Sequence, residues 1–419
     1  MVKKRVFTAL LVIVLLLCNA ATAAEAQTTH NISVYGSSVA SGIAAEDNHG
    51  YWYMLKECLA DRGWNVSSCS RGGDRTNRIL DRFDDLLSQN PHYVFIGLSL
   101  ANEGIRNPGT AEKDSIYRQY IWGMKALIGL IRSQGMVPVV GLCYPNGDYT
   151  PEEYEYVKRM NLLINTWGVP STNFLGAIGD GHGRWVDGFS HDPGHPNTAG
   201  HREMFLAMVP GLFDAMEAGK PIPQKADGSG FLSLGKEHPG MVRFTPGDTI
   251  HSWATAFNVR CKQDGPLAVI TGAKHNADIS VMDGKFVYQS TGRQPLVSEA
   301  KVSNGQWHSV TVSHRYALQQ TQLYVDGRLA GTLAEQFEPK AFSLSGNADF
   351  KEWLVYRAAL DDMEVQALAN GQLLQASLEV YAPLQETAFI NGKPVENRAQ
   401  SLSQAIFMAG TPETYKNIE

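Results

Sequence analysis

Ser38, Asp192 and His195 have the residue types and spacing that favour nucleophilic chemistry. Ser38 stands where the apolar segment ending in Val34-Tyr-Gly36 meets a predicted helix, so its hydroxyl is expected on a sharp strand-to-helix turn. Backbone amides and the helix dipole at such a turn stabilise an alkoxide and a developing oxyanion. Serine is also an ordinary helix cap, so this position alone does not establish a nucleophile.

A base for that serine is expected in the segment Asp192-Pro-Gly-His195-Pro-Asn. Proline and glycine predict a tight loop, and a carboxylate three residues before a histidine can accept the proton of one ring nitrogen. The other nitrogen is then free to act as a base. Asp and His also cap helices and turns, and that structural alternative suits His191 and His201 better.

Donors for an oxyanion are expected after the second and third predicted strands. Gly72-Gly73-Asp74 offers a free backbone amide, and Asn102 offers a side-chain amide at the end of a central strand. Open α/β sheets place their ligands at the carboxyl ends of their strands. Either residue alone is equally consistent with a turn.

The elements that position these residues follow the alternation of short apolar runs with longer amphipathic segments from Asn31 to about Met216. This rhythm is typical of a parallel sheet with crossover helices, and it predicts a three-layer α/β domain. The predicted strands are Ile32–Tyr35, Trp64–Ser67, Tyr93–Leu98, Val137–Cys143 and Asn173–Leu175, and the predicted helices are Tyr51–Arg62, Asp114–Gln134, Pro151–Trp167 and Arg202–Met216.

Beyond Met216 the sequence becomes rich in Gly, Pro and polar residues, as linkers are. Later segments such as Trp253–Val259 and Trp307–Val312 alternate with period two, which is typical of strands. The pairs Asp283-Gly284 and Asp326-Gly327 predict tight hairpins. A second, all-β domain built as an antiparallel sandwich is therefore expected.

The N-terminus has the pattern of an export signal. Three basic residues at 3–5 precede the apolar run Val6–Leu17, and small residues follow up to Ala26. This predicts a signal peptide at 1–26 and an exported protein, periplasmic, secreted or at the cell surface. The apolar run is shorter than the roughly 20 residues of a membrane span, so none is expected in the mature chain. Lipidation of Cys18 is disfavoured.

The 419 residues exceed one ordinary core, which favours two domains. We expect the first at 27–220, a linker at 221–240, the sandwich at 241–384 and an unassigned tail at 385–419. The net charge is −6 and the basic residues are scattered, so the sequence predicts no basic patch that would bind nucleic acid.

Neither cofactor nor metal is expected. One segment contains four histidines, His182, His191, His195 and His201. No cysteine or carboxylate has the spacing that would complete a zinc site with them. Export permits a disulfide between Cys58 and Cys69, whose state the sequence leaves open. Buried free thiols account for Cys143 and Cys261.

Taken in order, the four blocks around Ser38, Gly73, Asn102 and Asp192–His195 resemble the SGNH (GDSL-like) hydrolase family over about 32–216. The resemblance implies Ser38 as nucleophile, with Asp192 and His195 completing the triad. It also implies an oxyanion hole formed by the Ser38 amide, Gly73 and Asn102.

Two positions depart from the family pattern. Gly36-Ser37-Ser38 stands where the family has Gly-Asp-Ser, which leaves Ser37 as an alternative nucleophile, although the register favours Ser38. Asn102-Glu103 stands where the family has Asn-Asp, and Glu103 is expected to contact the neighbouring loop instead.

The segment 241–384 resembles the laminin-G-like, concanavalin A-type jelly roll. The residues behind this resemblance are Gly305–Val312, Gln322–Gly327, Trp353–Tyr356 and a short predicted helix at Asp361–Ala369. Such modules often bind glycans, and many only brace a neighbouring domain.

These features together predict an exported serine esterase that removes O-acetyl groups from a polysaccharide. A lipase, lysophospholipase or thioesterase with the same triad remains an alternative. A non-catalytic glycan-binding protein is an alternative of another class.

Overall fold

The computed structural model describes residues 30–106 and 108–410. The predicted signal peptide at 1–26 lies outside them. The first domain is built on a five-stranded parallel sheet of order β2-β1-β3-β4-β5. Its strands are β1 His30–Gly36, β2 Trp64–Ser68, β3 Tyr93–Gly97, β4 Val137–Gly141 and β5 Ser171–Thr172, and a separate hairpin consists of β6 Ser190–Asp192 and β7 His195–Pro196.

Helices cover both faces of this sheet, which confirms the predicted three-layer α/β architecture. One face packs residues such as Ile96 and Val140 against Met124 and Met160, and the opposite face packs Phe95 against its own helices. The helices are α1 Ser38–Ser41, α2 Tyr51–Leu59, α3 Thr76–Asp81, α4 Phe83–Leu87, α5 Leu100–Glu103, α6 Thr110–Ser133, α7 Pro151–Asn165, α8 Phe174–Ile178, α9 Thr198–Leu206 and α10 Leu212–Glu217.

Two predicted elements differ in the structure. The strand expected at Asn173–Leu175 is instead the start of α8, because the side chain of Asn173 accepts a hydrogen bond from the Gly176 amide and caps a helix. The helix expected at Arg202–Met216 is split into α9 and α10. Pro210 lies in the break and cannot donate a backbone hydrogen bond.

The second domain is an antiparallel sandwich of a seven-stranded and an eight-stranded sheet, as predicted. Hairpins turn at Asp283-Gly284 and Asp326-Gly327, where all four residues have positive φ. The strands are β8 Leu232–Leu234, β9 Gly240–Phe244, β10 Trp253–Arg260, β11 Gly265–Gly272, β12 Ala277–Met282, β13 Lys285–Ser290, β14 Leu296–Lys301, β15 Trp307–Arg315, β16 Gln320–Val325, β17 Arg328–Ala334, β18 Pro339–Ser345, β19 Ala348–Tyr356, β20 Leu378–Ala382, β21 Lys393–Pro394 and β22 Ala405–Ala409, with one helix, α11, at Asp362–Ala369.

The sandwich also includes strands from the segments on both sides of 241–384. Strand β8, within the segment expected to be a linker, pairs with β19. Strand β22, within the unassigned tail, pairs with β9 along its whole length. Apolar side chains explain both additions, since Leu232 and Ala405 are buried in the sandwich core.

The two domains meet in a buried polar interface. The guanidinium of Arg357 is 1% exposed, and its Nε donates to the backbone oxygen of Leu206 at 3.0 Å while Nη1 donates to Glu379 at 2.8 Å. Glu203 accepts a 2.8 Å hydrogen bond from His251. Removing either domain would break these hydrogen bonds and expose interface residues such as Ala358, which packs in an apolar cluster of the first domain, to water. The sandwich therefore braces the first domain.

The cysteines of the described residues are free thiols. Cys143 and Cys261 are buried, as predicted. Cys69 lies 3.4 Å from the hydroxyl of Ser33, and Cys58 is exposed. Within 30–106 and 108–410, no helix is long and apolar enough to cross a membrane.

Candidate active site

Ser38 is the first residue of α1, directly after β1, on the strand-to-helix turn that the sequence predicts. Glycines allow this turn to lie close to the neighbouring strand. A Cβ on Gly36 would lie 2.2 Å from the carbonyl oxygen of Gly97, and a Cβ on Gly97 would lie 2.6 Å from the Cβ of Ala40. The amide of Ser38 opens the helix and has no intrahelical acceptor, so it remains available to a ligand.

The two neighbouring serines differ in accessibility. Ser37 is fully buried, and its hydroxyl accepts a 3.0 Å hydrogen bond from the side-chain amide of Asn102. Ser38 is half-buried, and its hydroxyl oxygen reaches solvent without a hydrogen-bond partner among the described residues. An incoming ester can therefore meet Ser38, whereas Ser37 is enclosed.

Asp192 and His195 face each other across a two-stranded hairpin formed by β6 Ser190–Asp192 and β7 His195–Pro196. The Nδ1 atom of His195 lies 2.9 Å from one carboxylate oxygen of Asp192 and 3.0 Å from the other. The amide of Gly194 donates to the same carboxylate at 2.7 Å. Aspartate and histidine thus form a pair that can hold the ring in one orientation.

Electrostatics assign the roles within this pair. Partial burial of Asp192 opposes ionisation, but hydrogen bonds from His195 and the Gly194 amide outweigh it and lower the carboxyl pKa. An ionised Asp192 can only accept, so Nδ1 of His195 is the protonated nitrogen. The Nε2 atom is left as the basic one, and the side chain of His195 is 25% exposed, so a substrate can reach it.

The hairpin loop is tied to the rest of the domain through Pro193. Its carbonyl oxygen accepts from the amide of Gly147 at 2.7 Å and from the indole of Trp185 at 3.0 Å. On its other side, β7 lies against α1. The fold thus brings the strand with His195 next to the helix that starts at Ser38.

His201 joins the same two regions from α9 and is structural. Its ring is fully buried, with Nε2 3.3 Å from the carbonyl oxygen of Ile43 and Nδ1 3.4 Å from the amide of Tyr51. A neutral ring satisfies both contacts. Burial lowers the pKa of His201 to about 4.

The loop after β2 brings a further amide to the nucleophile. The amide of Arg71 donates to the carbonyl of Gly36 at 3.0 Å, which holds the loop against the turn. A Cβ on Gly72 would lie 3.8 Å from that of Ser38. Gly73 has φ +79° and its amide has no partner in the described part of the chain. This amide is therefore free to bind an oxyanion.

Asn102 is held in one orientation. Its Oδ1 accepts from the amide of Ser99 at 2.9 Å and from the hydroxyl of Tyr144 at 3.1 Å. The Nδ2 group has two hydrogens, and it donates one of them in a hydrogen bond to the hydroxyl of Ser37. The second hydrogen is left for a ligand beside Ser38. The sequence did not single out Tyr144. It follows β4 after Leu142 and Cys143, at the carboxyl edge of the sheet, where such residues are expected.

Glu103 contacts the neighbouring loop, as predicted. Its Oε1 accepts from the amide of Thr76 at 2.5 Å, which ties α5 to the start of α3 just beyond Gly73. Burial raises the pKa of this carboxyl, although the Thr76 amide opposes the shift. The second oxygen, Oε2, is buried without a partner among the described residues.

The arrangement fits covalent catalysis by serine. An accessible hydroxyl, a histidine oriented by a carboxylate and unpaired amide donors meet at one edge of the sheet. In residues 30–106 and 108–410, no group of three or more His, Cys, Asp or Glu could hold a metal ion. A cavity of about 1470 Å³ between Arg62 and Arg243 contains none of the candidate residues, so cavity size does not locate this chemistry.

Comparisons with known proteins give a family match for the first domain. Residues 34–203 match the model of the GDSL-like lipase/acylhydrolase family, which confirms the predicted GDSL-like domain and supports an ester hydrolase. No curated protein matches the sequence.

Several solved structures resemble parts of the chain at low TM-score. TesA is 22% identical over 42% of this chain and 94% of its own, with a TM-score of 0.34. A catalytic mutant of an acetylxylan esterase from Geobacillus stearothermophilus is 15% identical over 42% of this chain and 90% of its own, with a TM-score of 0.34. Domains LG4-5 of the mouse laminin α1 chain are 14% identical over 41% of this chain and 52% of their own, with a TM-score of 0.27.

Proposed function

Residues 34–203 form a GDSL-like hydrolase domain, and we propose that this domain is a serine esterase whose nucleophile is Ser38. The observation that supports the assignment best is the contrast between an accessible Ser38 and an enclosed Ser37, with the Asp192–His195 pair on the adjacent strand. We extend the proposal to the substrate, an O-acetylated polysaccharide, and to export directed by residues 1–26.

The proposed reaction begins when Nε2 of His195 takes the proton of the Ser38 hydroxyl and the serine oxygen attacks the ester carbonyl. The oxyanion of the tetrahedral intermediate is bound by the amides of Ser38 and Gly73 and by Nδ2 of Asn102. The proton then passes from His195 to the departing sugar oxygen. Water, activated in the same way, hydrolyses the acyl-enzyme and releases acetate.

The polysaccharide part of the proposal is supported by the second domain. The sandwich resembles modules that often bind glycans, and its buried interface with the hydrolase domain fixes any glycan it binds relative to Ser38. Activity on a polymer therefore belongs to the whole chain, and experiments require both domains.

The test compares wild type with Ser38→Ala, and uses Ser37→Ala as the matched control. Acetate release is measured from acetylated xylan and glucomannan, and hydrolysis is measured with nitrophenyl acetate. We expect Ser38→Ala to abolish both activities and Ser37→Ala to reduce them while leaving them measurable. Loss of activity in Ser37→Ala together with retention in Ser38→Ala would assign the nucleophile to Ser37.

A chain-length series of nitrophenyl esters separates the acetylesterase from a lipase or thioesterase. A long acyl chain needs an extended apolar groove, whereas acetate does not. We expect acetate to be the best acyl group. Preference for acyl chains of about eight carbons or more would replace the acetylesterase with a lipase-type enzyme. Inactivity on every ester, with binding to glycans, would favour the non-catalytic alternative.

A further inference from the structure

A polar groove of about 450 Å³ lies between the two domains, apart from the candidate triad. The hydrolase domain contributes the start of α7 and the loop 180–182, and the sandwich contributes residues of β15, β16 and the start of α11. The volume falls in the range of about 300–1,000 Å³ that is typical of ligand pockets.

On the sandwich side of the groove, Arg315 and Tyr324 hold the side chain of Gln322 so that its Nε2 donor is free. Arg315 is only 7% exposed, and within the described residues it forms no ion pair. Its Nη1 donates to Oε1 of Gln322 at 2.6 Å, and the hydroxyl of Tyr324 donates to the same oxygen at 3.2 Å. Both donors fix the amide of Gln322, so that its Nε2 group remains unpaired and accessible.

The hydrolase side adds a hydroxyl group in a fixed position. The ring of Tyr154 is packed beneath Lys158, whose Nζ lies 5.0 Å from the ring centre. A Cβ on Gly183 would lie 2.8 Å from a ring atom, so the loop also packs closely on this side chain. The hydroxyl of Tyr154 has no partner in the described part of the chain, yet it reaches solvent. It is therefore available to a ligand.

The charges in the groove disfavour an anionic ligand. Lys158 already pairs with Glu155 at 2.8 Å and with Asp362 at 3.3 Å. Carboxylates outnumber the lysine and arginine side chains, so a polyanion would be repelled. Mixed donors and acceptors suit hydroxyl groups, which do both. The charged lining residues are Glu155, Asp180, Asp361 and Asp362 against Lys158 and Arg315.

The groove is joined to the candidate triad by a short series of backbone contacts. The carbonyl oxygen of Gly183 accepts from the amide of Asn146 at 2.9 Å. The next residue, Gly147, donates to Pro193, which lies between Asp192 and His195. These two hydrogen bonds connect the loop beside the groove with the loop between Asp192 and His195.

We propose that this interdomain groove binds a neutral glycan chain and positions the polymer whose ester is cleaved at Ser38. The second half of this proposal rests on the proposed function. Tyr154, Gln322 and Arg315 supply the hydrogen bonds, and the sandwich thereby takes part in substrate selection.

Two variants test the groove and keep its internal hydrogen bonds: Tyr154→Phe keeps the ring, and Gln322→Glu keeps the oxygen that accepts from Arg315 and Tyr324 but replaces the Nε2 donor. The readout is kcat/KM on acetylated glucomannan divided by kcat/KM on nitrophenyl acetate. Each variant should lower this ratio about 2- to 10-fold through KM, as expected for one lost hydrogen bond. Tyr117→Phe, which removes an equally unpaired hydroxyl outside the groove, is the matched control and should leave the ratio unchanged.

Binding is measured separately, by calorimetry of Ser38→Ala protein with deacetylated glucomannan oligosaccharides and with homogalacturonan. We expect the neutral oligosaccharide to bind, and to bind more weakly when Tyr154→Phe is added. If the oligosaccharide binds but no acetate is released from polymers, the groove would still be a glycan-binding site, and the proposed polysaccharide substrate would be wrong. Unchanged ratios and unchanged binding, or preference for the acidic polymer, would contradict neutral-glycan binding by the groove. Neither result would bear on the assignment of the triad.

Discussion

Asn102 and Ser37 are joined by a 3.0 Å hydrogen bond from the side-chain amide to the serine hydroxyl. Ser37 stands one residue before the proposed nucleophile and is fully buried. The bond directs the amide of Asn102 towards the turn that presents Ser38. The serine that replaces the family's aspartate thus has a positioning role that its sequence neighbourhood alone did not reveal.

Asn102→Ala should lower kcat about 10²- to 10³-fold, because one oxyanion donor is lost. KM for nitrophenyl acetate should change little, since the oxyanion exists only in the transition state. Steady-state kinetics with circular dichroism as a folding control provides the measurement. Unchanged turnover would remove Asn102 from the site.

Tyr144→Phe should lower kcat by about 3- to 10-fold, because one of the two donors that orient Asn102 is lost while the Ser99 amide remains. The ring of Tyr144 stays stacked on Trp185. In the Asn102→Ala background the same change should have no further effect. An equal loss in both backgrounds would mean that Tyr144 acts independently of Asn102.

Asp192→Asn should reduce kcat by about 10³- to 10⁴-fold, because an amide cannot stabilise the protonated ring and favours the wrong tautomer of His195. The matched control is Asp187→Asn, at an exposed position near the same loop. Rates of nitrophenyl acetate hydrolysis are compared for both variants. Similar activity in the two variants would exclude Asp192 from the triad.

Gly97→Ala should destabilise the protein by about 1–3 kcal/mol and lower activity, because the added Cβ would displace Ala40 and the helix that begins at Ser38. Gly129→Ala is the control, since its Cβ meets nothing within 4 Å and lies in the helix α6. That change should stabilise the protein by about 0.5–1 kcal/mol. Thermal unfolding and esterase assays measure both effects.

Stability should fall as the pH drops from about 6.5 towards 4, because burial lowers the pKa of His201 to about 4 and the unfolded chain takes up a proton first. The contribution of His201 is fully present above about pH 6.5, and its loss reaches about 3 kcal/mol near pH 4. Urea unfolding at pH 7 and pH 4.5 measures it. The pH dependence should be shallower in His201→Gln, and equal slopes would contradict the assignment.

Local chemistry in the sequence was enough to predict the two architectures and the blocks of the candidate site. The α/β alternation, the Asp-Gly hairpins and the segment Asp192–His195 each rest on residues adjacent in the chain. Periodicity and turn chemistry act over a few residues, so they can be read without a structure.

The start of α8 and the pairing of β22 depend on contacts between residues far apart in the chain. Asn173 caps a helix where a strand was expected, and its amide also binds Glu364 of the sandwich. Strand β22 joins the sheet through pairing with β9, more than 150 residues earlier in the chain. Such pairings depend on which apolar faces meet in the core, which no short segment specifies.

The sequence by itself determined which residue types are available for chemistry and the order of their blocks. Only the tertiary structure decided that Ser38 is accessible while Ser37 is enclosed by Asn102, that Tyr144 orients this amide, and that two domains share a polar groove. Accessibility and hydrogen-bond partners are properties of side chains brought together from distant strands. They therefore arise only when the sheet, its helices and the sandwich pack against one another.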